Sequence, residues 1–358
     1  MNAMQRIFVL AGGTGGHVYP ALAVALDLRE RGYAPHWIGT ARGLEARMVP
    51  DADIPLHTLP MRGVRGKSPR AQVYALALLG LSLLIALVLV LRFRPRLVIG
   101  MGGYASVPAA LAAWALRRPL LLQEQNAVAG SANRFLARFA RCITTGFPGV
   151  LEGADGVRYL GNPVRSELLT VAHDAPWEWT GDRALRVLVL GGSLGARPLN
   201  DAVPSIAAEF GLRCIWRHQC GAAHAATVSE AWTALEGIGV EVRPFIEDMA
   251  EAYAWADLVI CRAGALTVSE LAATGRPSIL VPLPHAIDDH QTANARFLEQ
   301  AGAAVLIPQT DMQSRLAETL RDLVDSPEML RAMAEAALKC ARPHATRDIA
   351  DCGEELIP

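Results

Sequence analysis

The chain has 358 residues, of which 52% are hydrophobic and 19% are charged, a length and composition that predict two globular domains with large cores. Its net charge of -1 at pH 7 gives no global basis for nucleic-acid binding. None of the six cysteines forms a C-x-x-C pair, so neither a zinc site nor a dithiol redox motif is indicated, and reduced thiols in a cytosolic chain are expected.

Apolar runs of strand length alternate with amphipathic segments of helix length, which is the pattern of a parallel α/β sheet. The run before the first glycines is too short for a signal peptide and predicts a strand. In the first half seven strands are predicted, at RIFVLAGG, PHWIGT, LHTLPM, PRLVIGMGG, PLLLQEQ, RCITTGF and VRYLGNPV. Helices are predicted at about 20–31, at GLEARMVP, through a long apolar segment, and at about 107–116 and 129–140.

The second half restarts with a strand and a glycine-rich turn, and it repeats the architecture of the first. Its six strands are predicted at RALRVLVLGG, RCIWRHQ, VEVRPFI, DLVICRAG, PSILVPL and AAVLIP. Residues 173–182 are predicted to be loop, and a last helix is predicted at about 327–341. The predicted domains are 1–164 and 165–341, and the tail, about 342–358, is expected to pack back on the first domain.

The segment from Val73 to Leu91 has no charged residue, and residues 71–91 as a helix would be about 31 Å long, the thickness of a bilayer core. A bilayer crossing would separate two flanking strands that are predicted to share one sheet. Basic residues flank both ends, whereas a single span usually carries them at its cytoplasmic end. The sequence therefore predicts a helix that lies along the membrane surface and docks through Val73, Leu76, Leu79, Leu83, Leu84, Leu87, Leu91, Arg70, Arg92 and Arg94.

The charge around this helix is uneven. Between Asp53 and Glu124 there is no acidic residue and there are nine basic ones, so this interval carries +9 and the rest of the chain -10. Such a basic zone beside an apolar segment favours an anionic membrane surface. Chance clustering on a solvated face is the alternative.

Three glycine-rich turns follow predicted strands, at Gly12 to His17, Gly100 to Tyr104 and Gly191 to Gly195. Such turns permit close backbone approach, and the helix that follows offers N–H groups and a partial positive charge to a phosphate. Neither of the first two is the strict G-x-G-x-x-G fingerprint, and no Walker lysine follows any of them, so an NTPase is not indicated. The third turn echoes the first 179 residues later, as expected for two domains of one architecture.

Two side chains near these turns are candidates for chemistry. The imidazole of His17, at a predicted helix start, can accept a proton near neutral pH, although a structural histidine is the alternative. The carboxylate of Glu270, in the helix that opens after Arg262, can accept hydrogen bonds from two ribose hydroxyls. Ordinary helix capping is the alternative for Glu270.

No metal site is predicted. The neighbouring side chains of Asp288, Asp289 and His290 point in different directions, so a polar loop is the better interpretation. Asp51 and Asp53 resemble the D-x-D motif of metal-dependent glycosyltransferases, but they lie in a loop next to proline with no nucleotide motif nearby, and we interpret them as incidental.

Seven motifs in order along the whole chain resemble the MurG family, the bacterial glycosyltransferases that make the peptidoglycan precursor lipid II. These motifs are AGGTGGHVYPALA, GMGGYASVPAALAA, QEQNAVAGSAN, GNPVR, GGSLGARPLN, RAGALTVSELAATGRPSILVPLP and DDHQTANA. The resemblance implies the GT-B fold, in which two Rossmann-like α/β domains with parallel sheets face a central cleft. It also implies inverting transfer of N-acetylglucosamine from UDP-N-acetylglucosamine to the 4-hydroxyl of undecaprenyl-diphospho-N-acetylmuramoyl-pentapeptide (lipid I), with no metal or other cofactor.

The resemblance also implies roles for particular residues. Glu270 would bind the ribose, Ile246 the uracil through its backbone, and Gln291 the sugar. The other implied donor-binding residues are Thr14, Gly15, Gly16, Asn126, Arg165, Ser193, Ala265, Leu266, Thr267, Val268 and Ser269. The first two glycine turns, including Gly13, Gly16, Gly102, Gly103 and Tyr104, would receive the acceptor diphosphate, and we assign the general base to His17 from its position.

The implied partners are UDP-N-acetylglucosamine, lipid I and an anionic membrane, which places the protein peripherally on the cytoplasmic face of the bacterial cell membrane. Contacts with other cell-wall synthesis proteins are left open. Two alternatives are another nucleotide-sugar enzyme of this fold, such as a lipid glucosyltransferase or a UDP-N-acetylglucosamine 2-epimerase, and a non-catalytic subunit that recruits a catalytic chain to the membrane. The basic and apolar zone argues against an epimerase, and the presence of both halves of the fold argues against the subunit.

Overall fold

The computed structural model describes residues 4–61, 69–192, 194–235, 237–284 and 287–357, with only the backbone for 69–73 and 287. The chain divides into two compact units, Met1–Arg165 with Arg342–Pro358, and Ser166–Ala341. The division falls one residue after the predicted domain boundary and places Arg165 in the first unit.

The strands are β1 (Arg6–Leu10), β2 (Ala34–Gly39), β3 (Leu56–Thr58), β4 (Leu97–Gly100), β5 (Leu120–Glu124), β6 (Cys142–Thr145), β7 (Val157–Tyr159), β8 (Leu185–Leu190), β9 (Cys214–Gln219), β10 (Val240–Arg243), β11 (Leu258–Cys261), β12 (Ser278–Leu280) and β13 (Ala304–Leu306). The helices are α1 (Gly15–Glu30), α2 (Glu45–Asp51), α3 (Pro69–Phe93), α4 (Ser106–Ala115), α5 (Ser131–Leu136), α6 (Ser166–Leu169), α7 (Val171–Asp174), α8 (Arg197–Ala207), α9 (Ala225–Thr233), α10 (Met249–Trp255), α11 (Ala265–Thr274), α12 (His290–Gln300), α13 (Met312–Asp325), α14 (Pro327–Cys340) and α15 (Ala345–Glu354).

Each unit contains one parallel sheet. The first has the strand order β3-β2-β1-β4-β5-β6-β7 and the second β10-β9-β8-β11-β12-β13. Every predicted strand is present, and the predicted fold class, two parallel-sheet α/β domains, is confirmed. Strands buried on both faces are nearly continuous apolar runs, which is why they could be recognised in the sequence.

Two predicted boundaries need correction. Helix α1 begins at Gly15, five residues before the predicted start at Pro20, because the helix opens directly from the glycine turn with Thr14 as its N-cap. Pro20 therefore lies inside the helix. The segment predicted as loop from residue 173 begins inside the short helix α7.

The C-terminal helix α15 packs against α1 in the first unit. The guanidinium of Arg31, the C-cap of α1, contacts the carboxylates of Asp351 at 2.5 Å and Glu354 at 2.6 Å. Ile349 and Ala350 are fully buried in the core cluster that also contains Ile7. The tail is therefore part of the core of the first unit.

Helix α3 is long and apolar enough over Tyr74–Phe93 to cross a membrane. An 18-residue window within it has a mean hydropathy of 2.8, and 22% of that window is buried. Its flanking strands β3 and β4 nevertheless lie in one sheet, as predicted. One face packs on α4 and the sheet, with Ala75, Ser82, Ala86 and Val90 buried.

The outer face of α3 differs in part from the predicted docking residues. Leu76, Leu84 and Leu91 are exposed as predicted, but Leu79, Leu83 and Leu87 are partly buried. Tyr74, Leu81 and Val88 are exposed instead. The helix is apolar on all sides, so its sequence pattern could not indicate which side faces the core. Arg92 and Arg94 are exposed; the side chains of Arg70 and Val73 lie outside the described residues.

Candidate active site

The first glycine turn connects β1 to α1. Gly13 has φ +98°, a conformation that favours glycine. Helix α1 begins without a side-chain cap at Thr14. The first N–H groups of a helix have no carbonyl within the helix to bind, so those of Gly15 and Gly16 are presented to an anion.

The second glycine turn lies against the first because β1 and β4 are neighbours in register, from Ile7 beside Leu97 to Leu10 beside Gly100. Gly102 and Gly103 have φ values of +93° and +83°. A Cβ on Gly103 would lie 2.8 Å from the carbonyl oxygen of Gly12, and one on Gly102 would lie 2.8 Å from Nδ1 of His17. Only glycines permit this approach. Tyr104 follows them and is 46% exposed.

His17 lies between the two turns, and its ring has a defined orientation. The buried amide of Gln125 donates from Nε2 to the carbonyl of Met101 at 3.0 Å, so its Oε1 is presented to Nδ1 of His17, 3.2 Å away. Nδ1 of the neutral ring must therefore carry the proton. Nε2 is then left as the proton acceptor, the atom that a general base requires.

Glu45 lies beneath the first glycine turn and was not predicted. Its carboxylate is fully buried. Oε2 accepts a hydrogen bond from the N–H of Gly13 at 2.9 Å, while Oε1 accepts from the N–H and the hydroxyl of Thr40 at 2.9 and 2.7 Å. The sequence held one signal, since Glu45 shares a face of α2 with buried Val49 four residues later.

A second buried carboxylate, Glu124, organises the loop after β5. It accepts hydrogen bonds from the backbone of Asn126 at 2.9 Å, the backbone of Gly130 at 3.0 Å and the side chain of Asn133 at 2.9 Å. The side-chain amide of Asn126, an implied donor-binding residue, is 3.3 Å from the same carboxylate. The sequence held one signal for this network, the three consecutive polar residues Gln123, Glu124 and Gln125 at the end of the apolar strand β5.

The third glycine turn, in the second unit, is held against the end of β9. Gly192 and Gly195 both have φ +80°, and a Cβ on Gly195 would overlap the carbonyl oxygen of Cys220. The side chain of Gln219 donates to the carbonyl of Gly192 at 3.1 Å. Helix α8 then begins without a side-chain cap. Ser193 lies outside the described residues.

A series of buried hydrogen bonds leads to the carbonyl of Cys220, which contacts this turn. Trp232 donates to Nδ1 of His218 at 3.1 Å, so Nε2 of His218 carries the proton toward Oδ1 of Asn200, 3.0 Å away. Asn200 donates in turn to the carbonyl of Cys220 at 2.9 Å. Burial lowers the pKa of His218 to about 4, so this histidine is neutral and structural at neutral pH.

Helix α11 starts after β11 with Gly264 as its N-cap and no side-chain cap. The buried side chains of Ala265 and Val268 face the core, while Leu266, Thr267 and Ser269 are partly exposed. The first-turn N–H groups therefore lie at a strand end where α/β sheets bind phosphates.

Glu270 lies in the second turn of α11, so it does not cap the helix. The hydroxyl of the buried Tyr253 donates to its Oε2 at 3.1 Å. Tyr253 was not predicted, and it orients the carboxylate proposed to bind ribose.

Three further residues have implied donor-binding roles. Gln291 accepts the backbone N–H of Leu283 through Oε1 at 2.9 Å, which ties α12 to the loop after β12. Ile246 is 3% exposed. Arg165 is in the first unit, where its guanidinium lies 6.0 Å from the ring centre of Tyr19.

Among the residues that the structure describes, no three His, Cys, Asp or Glu side chains are grouped as metal ligands would be. Asp288 and Asp289 have positive φ values of 56° and 50°. Asp289 accepts the hydroxyl of Thr292 at 2.7 Å. The Asp289 carboxylate therefore binds a side chain in the first turn of α12.

Comparison with known proteins identifies the family. Residues 7–145 match the glycosyltransferase family 28 N-terminal domain, and residues 186–351 match the glycosyltransferase family 28 C-terminal domain. The chain belongs to glycosyltransferase family 28.

The relatives of this family 28 glycosyltransferase agree with the MurG resemblance, which is confirmed. It is 52% identical over 353 residues, 98% of each chain, to UDP-N-acetylglucosamine--N-acetylmuramyl-(pentapeptide) pyrophosphoryl-undecaprenol N-acetylglucosamine transferase of Alkalilimnicola ehrlichii. It is 36% identical to MurG of Acinetobacter baumannii in a crystal structure, with a TM-score of 0.85, covering 98% of this chain and 99% of that one. A UDP-GlcNAc 2-epimerase from Neisseria meningitidis shares the fold, with a TM-score of 0.65 over 97% of this chain and 99% of that one, at only 14% identity.

Proposed function

We propose that this family 28 glycosyltransferase transfers N-acetylglucosamine from UDP-N-acetylglucosamine to the 4-hydroxyl of the muramoyl residue of lipid I, with inversion at the anomeric carbon. The observation that carries the proposal is the 52% identity, over 98% of both chains, to a transferase named for this reaction. The geometry supports it, because glycine turns suited to diphosphates occur in both units.

The second unit carries most of the donor site. The start of α11 and the third glycine turn bind the diphosphate of UDP. The Glu270 carboxylate accepts hydrogen bonds from the ribose hydroxyls, and the Tyr253 hydroxyl, which donates to Oε2 of Glu270, holds that carboxylate in place. Ile246 contacts the uracil through its backbone, and Gln291 contacts the sugar. In the first unit, Gly15, Gly16, Gly102 and Gly103 surround the acceptor diphosphate.

The chemistry is one displacement. The acceptor 4-oxygen forms a bond to the anomeric carbon while the bond from that carbon to the UDP oxygen breaks, and Nε2 of His17 takes the hydroxyl proton. Negative charge gathers on the leaving diphosphate. Helix N-termini, the Ser193 hydroxyl and the Arg165 guanidinium stabilise this charge, so no metal is needed.

The enzyme docks peripherally on the cytoplasmic face of the cell membrane through α3. Its exposed side chains Leu76, Leu84 and Leu91 enter the interface, and Arg92 and Arg94 contact anionic headgroups. This placement brings the enzyme to an acceptor that is itself anchored in lipid.

Transfer of radiolabel from UDP-N-acetylglucosamine to a soluble lipid I analogue tests the proposed function. We expect labelled disaccharide product in the presence of EDTA, and much less product from UDP-glucose. Absence of product with folded protein would contradict the proposal. UDP-glucose as the better donor would indicate a lipid glucosyltransferase, and a change at the sugar C2 without acceptor would indicate an epimerase.

Glu270→Ala is expected to weaken UDP binding by about 10- to 100-fold, because hydrogen bonds to a charged group contribute about 1.5–3 kcal/mol. Calorimetry with UDP and 2′-deoxy-UDP measures this. The wild type should bind the deoxy analogue more weakly than UDP, and the variant should bind the two alike. Equal discrimination by both proteins would show that Glu270 does not contact the ribose.

A further inference from the structure

The geometry points to Glu45 as the residue that positions the first glycine turn for the acceptor diphosphate, and we propose that it acts by fixing the N–H of Gly13. This inference rests on the proposed function. Glu45 does not touch the substrate in this scheme. It acts through the backbone of the turn.

Hydrogen bonds hold Gly13 to Glu45 and its neighbours. The N–H of Gly13 donates to Oε2 of Glu45 at 2.9 Å, so this N–H is directed into the protein and away from any phosphate. The carbonyl of Gly13 accepts the N–H of Leu44 at 3.4 Å. The N–H and the carbonyl of Gly13 are thus both bound to the segment around Glu45. This orients the turn so that Gly15 and Gly16, at the start of α1, face outward.

Glycines limit the space around the Glu45 carboxylate. A Cβ on Gly12 would lie 2.5 Å from Oε1 of Glu45, and a Cβ on Gly39 would lie 2.8 Å from its Cγ. A Cβ on Gly43 would overlap Oε2. Glycines from three segments thus leave room for one carboxylate. The other oxygen is anchored separately by Thr40, which leaves Oε2 for Gly13.

The position of the first glycine turn also sets the position of His17. His17 is four residues after Gly13 and follows the same turn into α1. A turn that shifts by an ångström misplaces both the acceptor diphosphate and Nε2 of His17, and such errors cost about 100-fold in rate. Gly15 and Gly16 are also implied donor-binding residues, but most residues of that set, Glu270 and Gln291 included, belong to the other unit, so UDP binding should fall much less than the rate.

Glu45→Gln tests the inference, because it replaces one accepting oxygen with an NH₂ donor. That NH₂ group would face a second donor, either the N–H of Gly13 or the groups of Thr40. We expect kcat/KM for the lipid I analogue to fall about 10- to 100-fold while the Kd for UDP rises far less. Thr40→Val is the matched variant, since it removes a hydrogen bond to the same carboxylate but not the one from Gly13. It should lose far less acceptor kcat/KM.

Gly43→Ala provides a second route that retains the carboxylate but displaces Oε2. Gly153→Ala is its control, because a Cβ there meets nothing within 4 Å. Acceptor-selective loss in Gly43→Ala but not in Gly153→Ala supports the inference. Equal losses in Glu45→Gln and Thr40→Val, or weakened UDP binding in step with lost activity, would overturn it. A wild type that makes no product would instead contradict the proposed function.

Discussion

His17→Ala is expected to lower kcat for N-acetylglucosamine transfer by about 10²- to 10⁴-fold, the usual contribution of a positioned general base. The expectation follows from the hydrogen bond between Nδ1 and Oε1 of Gln125, which leaves Nε2 as the acceptor. UDP affinity should hardly change. Single-turnover rates with the soluble acceptor analogue and calorimetry with UDP separate the two effects.

His173→Ala is the matched control, because that imidazole has a 93% exposed side chain and belongs to the other unit. Gln125→Leu should give a smaller loss of kcat than His17→Ala, since it removes only the group that selects the tautomer. Near-normal turnover in His17→Ala would show that the base is elsewhere or that deprotonation does not limit the rate.

The double variant Leu84→Asn, Leu91→Asn is expected to weaken binding to vesicles that contain phosphatidylglycerol by about 100-fold or more. The two leucines are 61% and 58% exposed on the outer face of α3. Burial of one leucine side chain contributes about 1.5–3 kcal/mol, and two contributions give this factor. Sedimentation with vesicles measures the partition, and the melting temperature checks the fold.

Leu212→Asn, Met329→Asn is the control, because it removes exposed apolar side chains of similar size from the second unit. It should bind vesicles like the wild type. Unchanged binding by the α3 variant would show that the docking surface lies elsewhere. In sealed vesicles, protection from protease on one side of α3 and cleavage on the other would show a true membrane span and overturn the peripheral assignment.

The strands along the chain and the positions of the glycine turns could be predicted from the sequence. A parallel strand buried on both faces must be a short apolar run, as in RIFVL of β1 and LVIC of β11. Gly102 and Gly103 have positive φ and lie close to other parts of the chain, which only glycine allows. The glycines in the sequence therefore indicate a tight turn at this position.

The orientation of individual side chains was decided by the tertiary structure alone. The sequence did not reveal that Glu45 supports the turn at Gly13, that Tyr253 holds Glu270, or which leucines of α3 are exposed. A buried carboxylate is tolerated only where donors from distant segments meet it, and a uniformly apolar helix turns whichever side fits the sheet toward the core. Both depend on contacts between residues far apart in the chain. Local sequence therefore determined the elements and the glycine turns, and long-range packing decided how the buried carboxylates are held and which face of α3 is exposed.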